Sequence, residues 1–463
     1  MITLDEVNNL KPEDIKELYL KYSNSGLYKV FNILGLAGLE PVSAEGIYIY
    51  CKNDKKIYDF TAGNCVLNLG HNHPRILKAR NLYNSKKYME VWKFFPSPYL
   101  GALSKNLASI LPDKINNSFF CNSGAEANEG ALKIAQKFQG KKKNKIVYTD
   151  IGFHGRTHAT LSVSGGDATR EYFNKLEGCL VCKYDDANDF QRVVESRKNQ
   201  GEDICAIILE SMVASKVEVP SKGYLKKIRE ICDENNILMI VDEVWTGFGR
   251  TGKMFAFQYD DVVPDILTVS KSLGGGKASI AAYIVKDEIF KKAYGSLKDY
   301  NIHSTTYNGL GEECFTAIES LNIFSDGKIV QNSFDMGMHL KNGLLNLQQK
   351  HPKMIEEVRG LGLAVGVKLK VPGEFAFKLL SKINNEFKEK VGDGIFSAII
   401  INQLLTKYNI LVSVHPHVPS QIALTPPLII KKDEIDYFLN SLDQLLSKGW
   451  TKIISNFALS KVF

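Results

Sequence analysis

"ILMIVDEVWTGFGRTG", residues 237–252, is the stretch that decides the fold. Its first five residues are apolar without alternation, and they run directly into the acidic pair Asp242 and Glu243. An unbroken apolar run of this length is typical of a strand covered on both faces, as in a parallel sheet. Ligands bind beyond the carboxyl ends of such strands, so both acids are predicted to lie at the edge of a binding crevice.

Apolar runs of the same kind alternate with helical patterns through the middle of the chain. They are "SFF" (118–120), "KIVYT" (145–149), "CAIIL" (205–209), "DILTV" (265–269) and "AAYIV" (281–285). This rhythm predicts an α/β fold with a mostly parallel sheet. The chain after about residue 320 indicates a smaller α+β domain, and "GIYIYCKNDKKIYDF" (46–60) predicts a hairpin that joins it. The predicted divisions are 1–59 (joining the small domain), 60–324 (large domain) and 325–463 (small domain).

The composition excludes several classes of protein. The 463 residues exceed one simple core, and 44% hydrophobic with 24% charged residues is ordinary for a soluble globular protein. The net charge of +7 is spread along the chain, and the one tight basic run, "GKKKNK" (140–145), is predicted to be a solvated loop. We therefore expect no nucleic-acid partner.

The eight cysteines show no framework, since Cys179 and Cys182 form a single CxxC without a second pair. This pattern predicts no metal site and suggests scattered thiols in a reducing compartment. The N-terminus lacks the basic-then-apolar order of a signal peptide, and no apolar run approaches the ~20 residues of a membrane span. We expect a cytoplasmic protein without a membrane partner.

Two further segments have the composition of a ligand site. In "FFCNSGAEANEGALK" (119–133) a strand ends and Ser123 is placed to cap a helix, where free N–H groups and the helix dipole form a phosphate cup. A capped helix without a ligand is the alternative. In "DIGFHGRT" (150–157), Phe153 and His154 are placed to cover a flat ring and Arg156 to hold a carboxylate, although each also suits a core or surface position.

"DILTVSKSLGGG" (265–276) places Lys271 just after the next apolar strand, at the same edge of the sheet as Asp242. A partly desolvated lysine has a lowered pKa and becomes a Schiff-base nucleophile, although a solvated loop lysine is the alternative. Asp242 is suited to a cationic ring nitrogen, whereas Glu243 also suits a structural salt bridge with Arg250. An amine, a carboxylate, an aromatic lid and an anion cup are together what pyridoxal phosphate requires.

The sequence resembles the class III pyridoxal-phosphate aminotransferases, of the ornithine, putrescine and 4-aminobutyrate type. The resemblance spans nearly the whole chain, and "DEVWTGFGRTG" followed by "PDILTVSKSLGGG" is its most specific part. It implies the aspartate-aminotransferase fold (fold type I) and a homodimer with active sites at the subunit interface. It also implies ping-pong transamination between a small-molecule amine and an oxo substrate, with a racemase or epimerase of the same family as the alternative.

By that resemblance, Lys271 carries the cofactor as a Schiff base and Asp242 pairs with its ring nitrogen. Phe153 and Val244 lie against the two faces of the ring. Glu210 lies near the phenolic side of the ring.

The same resemblance implies that Ser123, Gly124 and Ala125 hold the phosphate, with Thr306 contributed by the partner subunit. Arg156 matches the arginine that grips the carboxylate of the amino acceptor. A binding role without catalysis is a further alternative, against which the complete set of cofactor residues argues.

Three positions depart from the family pattern. Trp245 replaces a glutamine that touches the phenolic oxygen, Ser215 replaces a glutamate, and Ala423 replaces an arginine. In relatives that glutamate and arginine pair to switch between substrates with one and two carboxylates. Our hypothesis is that a more apolar substrate pocket around Met212, Ala214 and Trp245 replaces this switch, which makes ornithine and 4-aminobutyrate poorer donors.

Overall fold

The computed structural model of the chain describes residues 1–112, 114–372, 394–414, 418 and 420–462. The helices are α1 (Leu4–Asn8), α2 (Pro12–Tyr22), α3 (Ser25–Leu34), α4 (Ala62–Cys65), α5 (Pro74–Ser85), α6 (Pro98–Ser109), α7 (Gly124–Gln139), α8 (His158–Ser162), α9 (Ala187–Asn199), α10 (Tyr224–Glu234), α11 (Asp287–Tyr294), α12 (Gly311–Phe324), α13 (Lys328–Lys350), α14 (Gly394–Tyr408), α15 (Lys432–Leu446) and α16 (Gly449–Val462). The strands are β1 (Pro41–Glu45), β2 (Tyr48–Cys51), β3 (Lys56–Asp59), β4 (Ile115–Cys121), β5 (Lys143–Thr149), β6 (Cys179–Cys182), β7 (Asp203–Glu210), β8 (Leu238–Asp242), β9 (Ile266–Val269), β10 (Ala281–Lys286), β11 (Ile355–Leu361), β12 (Ala364–Leu369), β13 (Ile410–Leu411), β14 (Ser413–Val414) and β15 (Gln421–Leu424).

A seven-stranded sheet in the order β4-β10-β9-β8-β7-β5-β6 forms the centre of the molecule. The strands from β9 to β6 pair in parallel, and β10 runs antiparallel to both of its neighbours. The prediction of an α/β fold with a mostly parallel sheet is therefore confirmed. Nothing in "AAYIV" marks it as the reversed strand, because a strand buried on both faces looks the same in either direction.

The centre of this sheet is fully covered, which explains its unbroken apolar sequence. Every residue of β8 and β9 is buried, as is β7 after its first residue. Helix α7 packs across β7, β9 and β10. Helix α10 buries Leu225, Ile228 and Cys232 along one stripe, at the spacing expected for one helix face.

Two smaller sheets come from the chain ends. The predicted N-terminal hairpin is confirmed, since β2 and β3 pair antiparallel, and β3 continues in parallel to β13 of the C-terminal part. The second small sheet has the order β11-β12-β15-β14. The smaller α+β unit thus draws strands from both ends of the chain, as predicted.

The CxxC pair illustrates how a strand separates neighbouring side chains. Cys179 and Cys182 lie three positions apart on β6, where successive side chains alternate between faces. Cys182 packs into one apolar core and Cys179 against another on the opposite face of the sheet. The two thiols therefore point away from a common ligand. Among the described residues, no helix has the length and apolar character needed to cross a lipid bilayer.

Candidate active site

A cavity of about 1180 Å³ opens where β7, β8 and β9 end. All the predicted site residues except Thr306 line it, and they are Ser123, Gly124, Ala125, Phe153, Arg156, Glu210, Asp242, Val244, Trp245 and Lys271. The register explains the convergence, because Glu210 pairs with Asp242 across β7 and β8, and Asp242 pairs with Thr268 of β9. Three parallel strands thus deliver their polar side chains to one edge.

Lys271 begins the turn that follows β9, with a backbone φ of 47°. Left-handed backbone at a residue other than glycine is uncommon and clusters at functional sites. Burial lowers the pKa of its amine, although the thiol of Cys65 and the carboxyls of Asp242 and Glu210 favour the charged form. The amine is therefore more easily deprotonated than that of a solvated lysine, which makes it a better nucleophile.

The glycines after Lys271 are required by close packing. Gly275 and Gly276 have φ values of 58° and 79°, which side chains rarely tolerate. A Cβ on Gly275 would lie 2.8 Å from Ile76, and one on Gly276 would lie 2.5 Å from Leu67. These glycines let the chain turn tightly beside the lysine.

Asp242 is held by three hydrogen bonds. Its Oδ2 accepts from Nδ2 of Asn128 and from Nδ1 of His154, both at 2.8 Å, and its Oδ1 accepts from the amide of Val244 at 2.9 Å. Thr268 donates to Oδ1 of Asn128 at 2.7 Å and so orients that amide. The carboxylate is consequently fixed in direction, and both Asn128 and His154 line the cavity.

The roles of Asn128 and His154 were missed from the sequence. His154 was expected to help cover a ring, but it is 2% exposed and points its Nδ1 at Asp242. A buried asparagine inside α7 was the available signal, because a buried amide needs polar partners. In the structure, Nδ2 of Asn128 donates both to Asp242 and to the carbonyl oxygen of His154 at 2.8 Å.

Glu243 faces away from the cavity, and the alternative of a salt bridge with Arg250 is wrong. Its carboxylate accepts from Ser211, Thr246 and the amides of Ala256 and Phe257. Successive residues of a strand point to opposite faces, so Asp242 and Glu243 separate.

Arg250 is fully buried, and its guanidinium donates mainly to backbone carbonyl oxygens. It donates to the carbonyl oxygens of Leu363 at 3.0 Å and Pro426 at 2.6 Å, and to the side chain of Asn68. It thus ties the loop after β8 to the segments that precede β12 and follow β15.

Glu210 lies beside Asp242 at the cavity and is only 3% exposed. Its Oε2 accepts from the amide of Phe153 at 2.8 Å and its Oε1 from the amide of Ala214 at 2.9 Å. Burial, reinforced by the neighbouring charge of Asp242, raises the pKa of Glu210 to about 8. The carboxyl thus joins the Phe153 loop to the loop after β7 and is mostly protonated at neutral pH.

The N-terminus of α7 has the predicted cap. The Ser123 hydroxyl accepts from the amide of Glu126 at 3.3 Å, and Glu126 reaches back to the amide of Asn122 at 3.0 Å. Gly124 is needed because a Cβ there would lie 2.8 Å from Cγ1 of Val244. Unpaired N–H groups in this first turn, together with the helix dipole, suit a phosphate group.

Arg156 stands at the rim, with 57% of its side chain exposed. Its Nε donates to Oδ2 of Asp167 at 2.8 Å, and its guanidinium lies 5.4 Å from the centre of the Phe153 ring. These contacts fix the direction of the side chain through its Nε and the face of its guanidinium, and Arg156 lines the cavity.

The three departures from the family pattern meet in this cavity. Trp245, Ser215 and Ala423 all line it, and Trp245 packs with Met212 and Ala423 in a small apolar cluster. Met212 itself is fully buried behind the lining. Thr306 is exposed on the surface and lies outside the lining of its own chain's cavity.

Comparison with known proteins agrees with this geometry. The family model "Aminotransferase class-III" matches residues 37–446. The chain belongs to the class-III aminotransferases. It is 34% identical over 418 residues to an acetylornithine aminotransferase of Caldanaerobacter subterraneus subsp. tengcongensis, covering 88% of this chain and 94% of that protein. It is 33% identical to an acetylornithine aminotransferase of Methanocaldococcus jannaschii, covering 88% and 93% of the two chains.

Solved structures of this family share the fold. An (S)-enantioselective omega-transaminase from Thermomicrobium roseum superimposes with a TM-score of 0.79 at 25% identity, covering 96% of this chain and 98% of that one. An ornithine aminotransferase from Toxoplasma gondii ME49 gives 0.77 at 24% identity, covering 99% of each chain. The chain is therefore a fold type I transaminase, an enzyme of a family that uses pyridoxal phosphate.

The residues of the cavity fit that cofactor. Its aldehyde, cationic ring nitrogen, flat ring and phosphate require an amine, a carboxylate, flanking side chains and an anion cup. Groups of these kinds line one cavity, namely Lys271, Asp242, Phe153 with Val244, and the start of α7. The close packing of Gly124 against Val244 keeps the helix terminus and the ring-side residue adjacent.

Proposed function

We propose that this aminotransferase uses Lys271 as its reacting amine and moves an amino group from a primary amine or amino acid to an oxo acid or aldehyde. The observation that supports this most directly is the place of Lys271. Its pKa is lowered by burial, and it shares one cavity with Asp242 and the N-terminus of α7. The alternative hypothesis of a solvated loop lysine predicts a side chain whose pKa is not lowered by burial.

Pyridoxal phosphate supplies the electron sink that stabilises negative charge at the substrate carbon. Asp242 would hold the ring nitrogen protonated, since two charges about 4 Å apart at an effective dielectric of about 20 attract by about 4 kcal/mol. Asn128 and His154 keep that carboxylate aimed. The backbone at Ser123, Gly124 and Ala125 would hold the phosphate, and Lys271, once free, would carry the proton between carbon atoms.

Glu210 would interact with the phenolic oxygen of the cofactor, and Arg156 with the carboxylate of the acceptor. A protonated Glu210 can donate to the phenolic oxygen of the cofactor, and its hydrogen bonds to the amides of Phe153 and Ala214 hold both ring-side loops. Arg156 would grip the carboxylate of the acceptor through its terminal nitrogens while Asp167 holds Nε.

Racemisation, the alternative within this chemistry, returns the proton to the carbon that lost it and needs no second substrate. Purified holoenzyme incubated with an amine should form carbonyl product catalytically only when an oxo acid is added. Product inversion without any oxo acid would instead establish a racemase. Absence of both, together with no absorbance from a bound cofactor, would sink the proposed function.

A homodimer with Thr306 reaching the partner's cavity also belongs to this proposal. Large apolar side chains are exposed in the chain segment that precedes Thr306, where Leu297 is 96% exposed, and at Phe94, which is 89% exposed. Lys93 donates to the carbonyl of Thr305 at 2.7 Å, so the two surface segments are joined. Buried in an interface, such side chains would be stabilising. Sedimentation should show a dimer that dissociates in the variant Phe94→Glu/Leu297→Glu, and a monomeric unaltered protein would refute it.

A further inference from the structure

The cavity's described lining is rich in side chains that bear no charge. Its apolar members lie on α3, directly after α4, in the loops after β7 and β8, and on β15. We call them the apolar lining: Leu27, Phe31, Val66, Ala214, Trp245 and Ala423. Trp245 is 7% and Ala423 is 1% exposed, and both pack on the buried Met212.

The hydroxyl groups of the lining are neutral and already donate to the protein. Ser215 donates to the carbonyl of Ile151 at 3.0 Å, and Thr425 donates to that of Thr61 at 3.0 Å. Ser413 donates to the carbonyl of Ala423 at 3.4 Å. These side chains add polarity at the edges of the lining without adding a charge.

The carboxyls of the described lining are Glu210 and Asp242, and both are engaged by the protein. Glu210 accepts two backbone amides and Asp242 accepts three donors. A second ammonium group on a substrate would therefore meet Lys271 and the apolar lining rather than a carboxylate with spare capacity. Desolvating a charge without a partner is costly, so such a substrate would bind poorly.

Apart from Lys271, the cations of the described lining are Arg156 and Lys277, and both are exposed rather than buried among the apolar lining. The side chain of Arg156 is 57% exposed and paired with Asp167, and Lys277 is exposed. Trp245 belongs to a buried apolar cluster whose other buried members are Cys65, Met212, Val217, Ala364 and Ala423. Among the described lining residues, a carboxylate carried into this part of the cavity would lose its water without meeting a buried cation.

From this arrangement we propose that the part of the amine donor remote from its reacting nitrogen is uncharged and largely apolar, with Trp245 and Ala423 as specificity-determining residues. This inference rests on the proposed function. It makes two donor types poor substrates, namely diamines with a second ammonium and amino acids with a remote carboxylate. Alkylamines of the same size are the preferred class.

Donors that differ only in charge test this directly. Hexylamine and 1,5-diaminopentane have the same number of heavy atoms, as do 4-methylpentylamine and 4-aminobutyrate. With holoenzyme, we expect kcat/KM for the first half-reaction to be about a hundredfold higher for the uncharged-tail member of each pair. The readout is the change in cofactor absorbance. Equal or faster reaction of both charged-tail members would overturn the inference.

Ala423 provides matched variants of opposite charge. Ala423→Asp should shift the preference towards 1,5-diaminopentane and Ala423→Arg towards 4-aminobutyrate, each by at least about tenfold relative to Ala423→Ser, which is uncharged. If neither charged variant folds, the donor pairs with the unaltered enzyme still decide the matter. Failure of Ala423→Asp and Ala423→Arg to move the preferences, when folded, would remove Ala423 from the proposal.

Binding without turnover separates this inference from the proposed function. Calorimetry on Lys271→Ala protein loaded with cofactor should show tighter binding of hexylamine than of 1,5-diaminopentane. If the unaltered enzyme reacts with charged-tail donors alone, this inference fails and transamination stands. If no donor of either kind changes the absorbance, both the proposed function and this inference fail.

Discussion

His154 Nδ1 lies 2.8 Å from Oδ2 of Asp242, and both side chains are almost completely buried. A carboxylate only accepts hydrogen bonds, so Nδ1 must carry the proton and donate. Asn128, which lies on α7, donates to the same oxygen, also at 2.8 Å. The direction of the Asp242 carboxylate is therefore determined by two side chains that come from different elements, α7 and the loop after β5.

Removing one of these donors should weaken catalysis without unfolding the protein. We expect Asn128→Ala to lower kcat about 10- to 150-fold, because a hydrogen bond to a charged group contributes about 1.5–3 kcal/mol. Steady-state kinetics with cofactor in excess measure the change. Gln136→Ala, at an exposed position on the same helix, is the control and should retain full activity. An unchanged kcat in Asn128→Ala would show that Asp242 needs no such alignment.

Asp242→Asn should be far more damaging than Arg156→Ala when the donor has no carboxylate. The first change removes the negative charge beside the ring nitrogen and should raise the barrier by several kcal/mol, or about a thousandfold in rate. The second leaves that charge in place and should mainly raise KM for the oxo acid. Separate half-reactions, followed by absorbance, distinguish these effects. Similar losses in the amine half-reaction for both variants would contradict the roles assigned to them.

Much of this arrangement could be predicted, because the end of a buried parallel strand is marked in the sequence by an apolar run followed by a polar residue. The apolar runs that end in Glu210, Asp242 and Ser270 indicated adjacent parallel strands, and the register brings those ends together. The cap at Ser123 was also readable, since a serine followed three residues later by a glutamate is a local pattern. These features depend on residues close together in the sequence.

The features that escaped prediction depend on distant segments. Asn128 and His154 meet Asp242 only after α7 and the loop after β5 have packed on the sheet. Strand β10 runs antiparallel to β9, and this direction follows from how the chain connects the strands. The apolar pattern of a buried strand does not depend on its direction, so the sequence contains no sign of it. The closeness of Glu243 and Arg250 in the sequence suggests a salt bridge between them. In the structure, the donors to Glu243 are Ser211, Thr246 and two backbone amides.

Lys271→Ala should abolish transamination while leaving the fold intact. The lysine is the only part of the proposed chemistry that both attaches the cofactor and moves the proton, so turnover should fall by at least about a thousandfold. Borohydride reduction followed by peptide mapping should place the cofactor label on residue 271 of the unaltered enzyme. Lys198→Ala, on the exposed end of α9, is the control. Label on another lysine would contradict the assignment.

Glu210 makes stability depend on pH in a direction opposite to that of a salt-bridged acid. Burial raises its pKa from 4.5 to about 8 in the folded chain. Between these values the folded state keeps a proton that the unfolded state has lost, so the free energy of unfolding falls as pH rises. This contribution is complete below pH 4.5 and is progressively lost up to about pH 8.

Urea unfolding of the apoprotein between pH 5 and pH 8 measures this slope, in a range that keeps most other acids ionised. Glu210→Gln retains the shape of the side chain but cannot ionise, so the variant should lose part of the decline seen in the unaltered protein. Glu195→Gln, on the outer face of α9, should leave the decline unchanged. If Glu210→Gln and the unaltered protein lose stability in parallel as pH rises, then Glu210 ionises normally in the folded chain, and a protonated donor towards the phenolic oxygen would have to be abandoned.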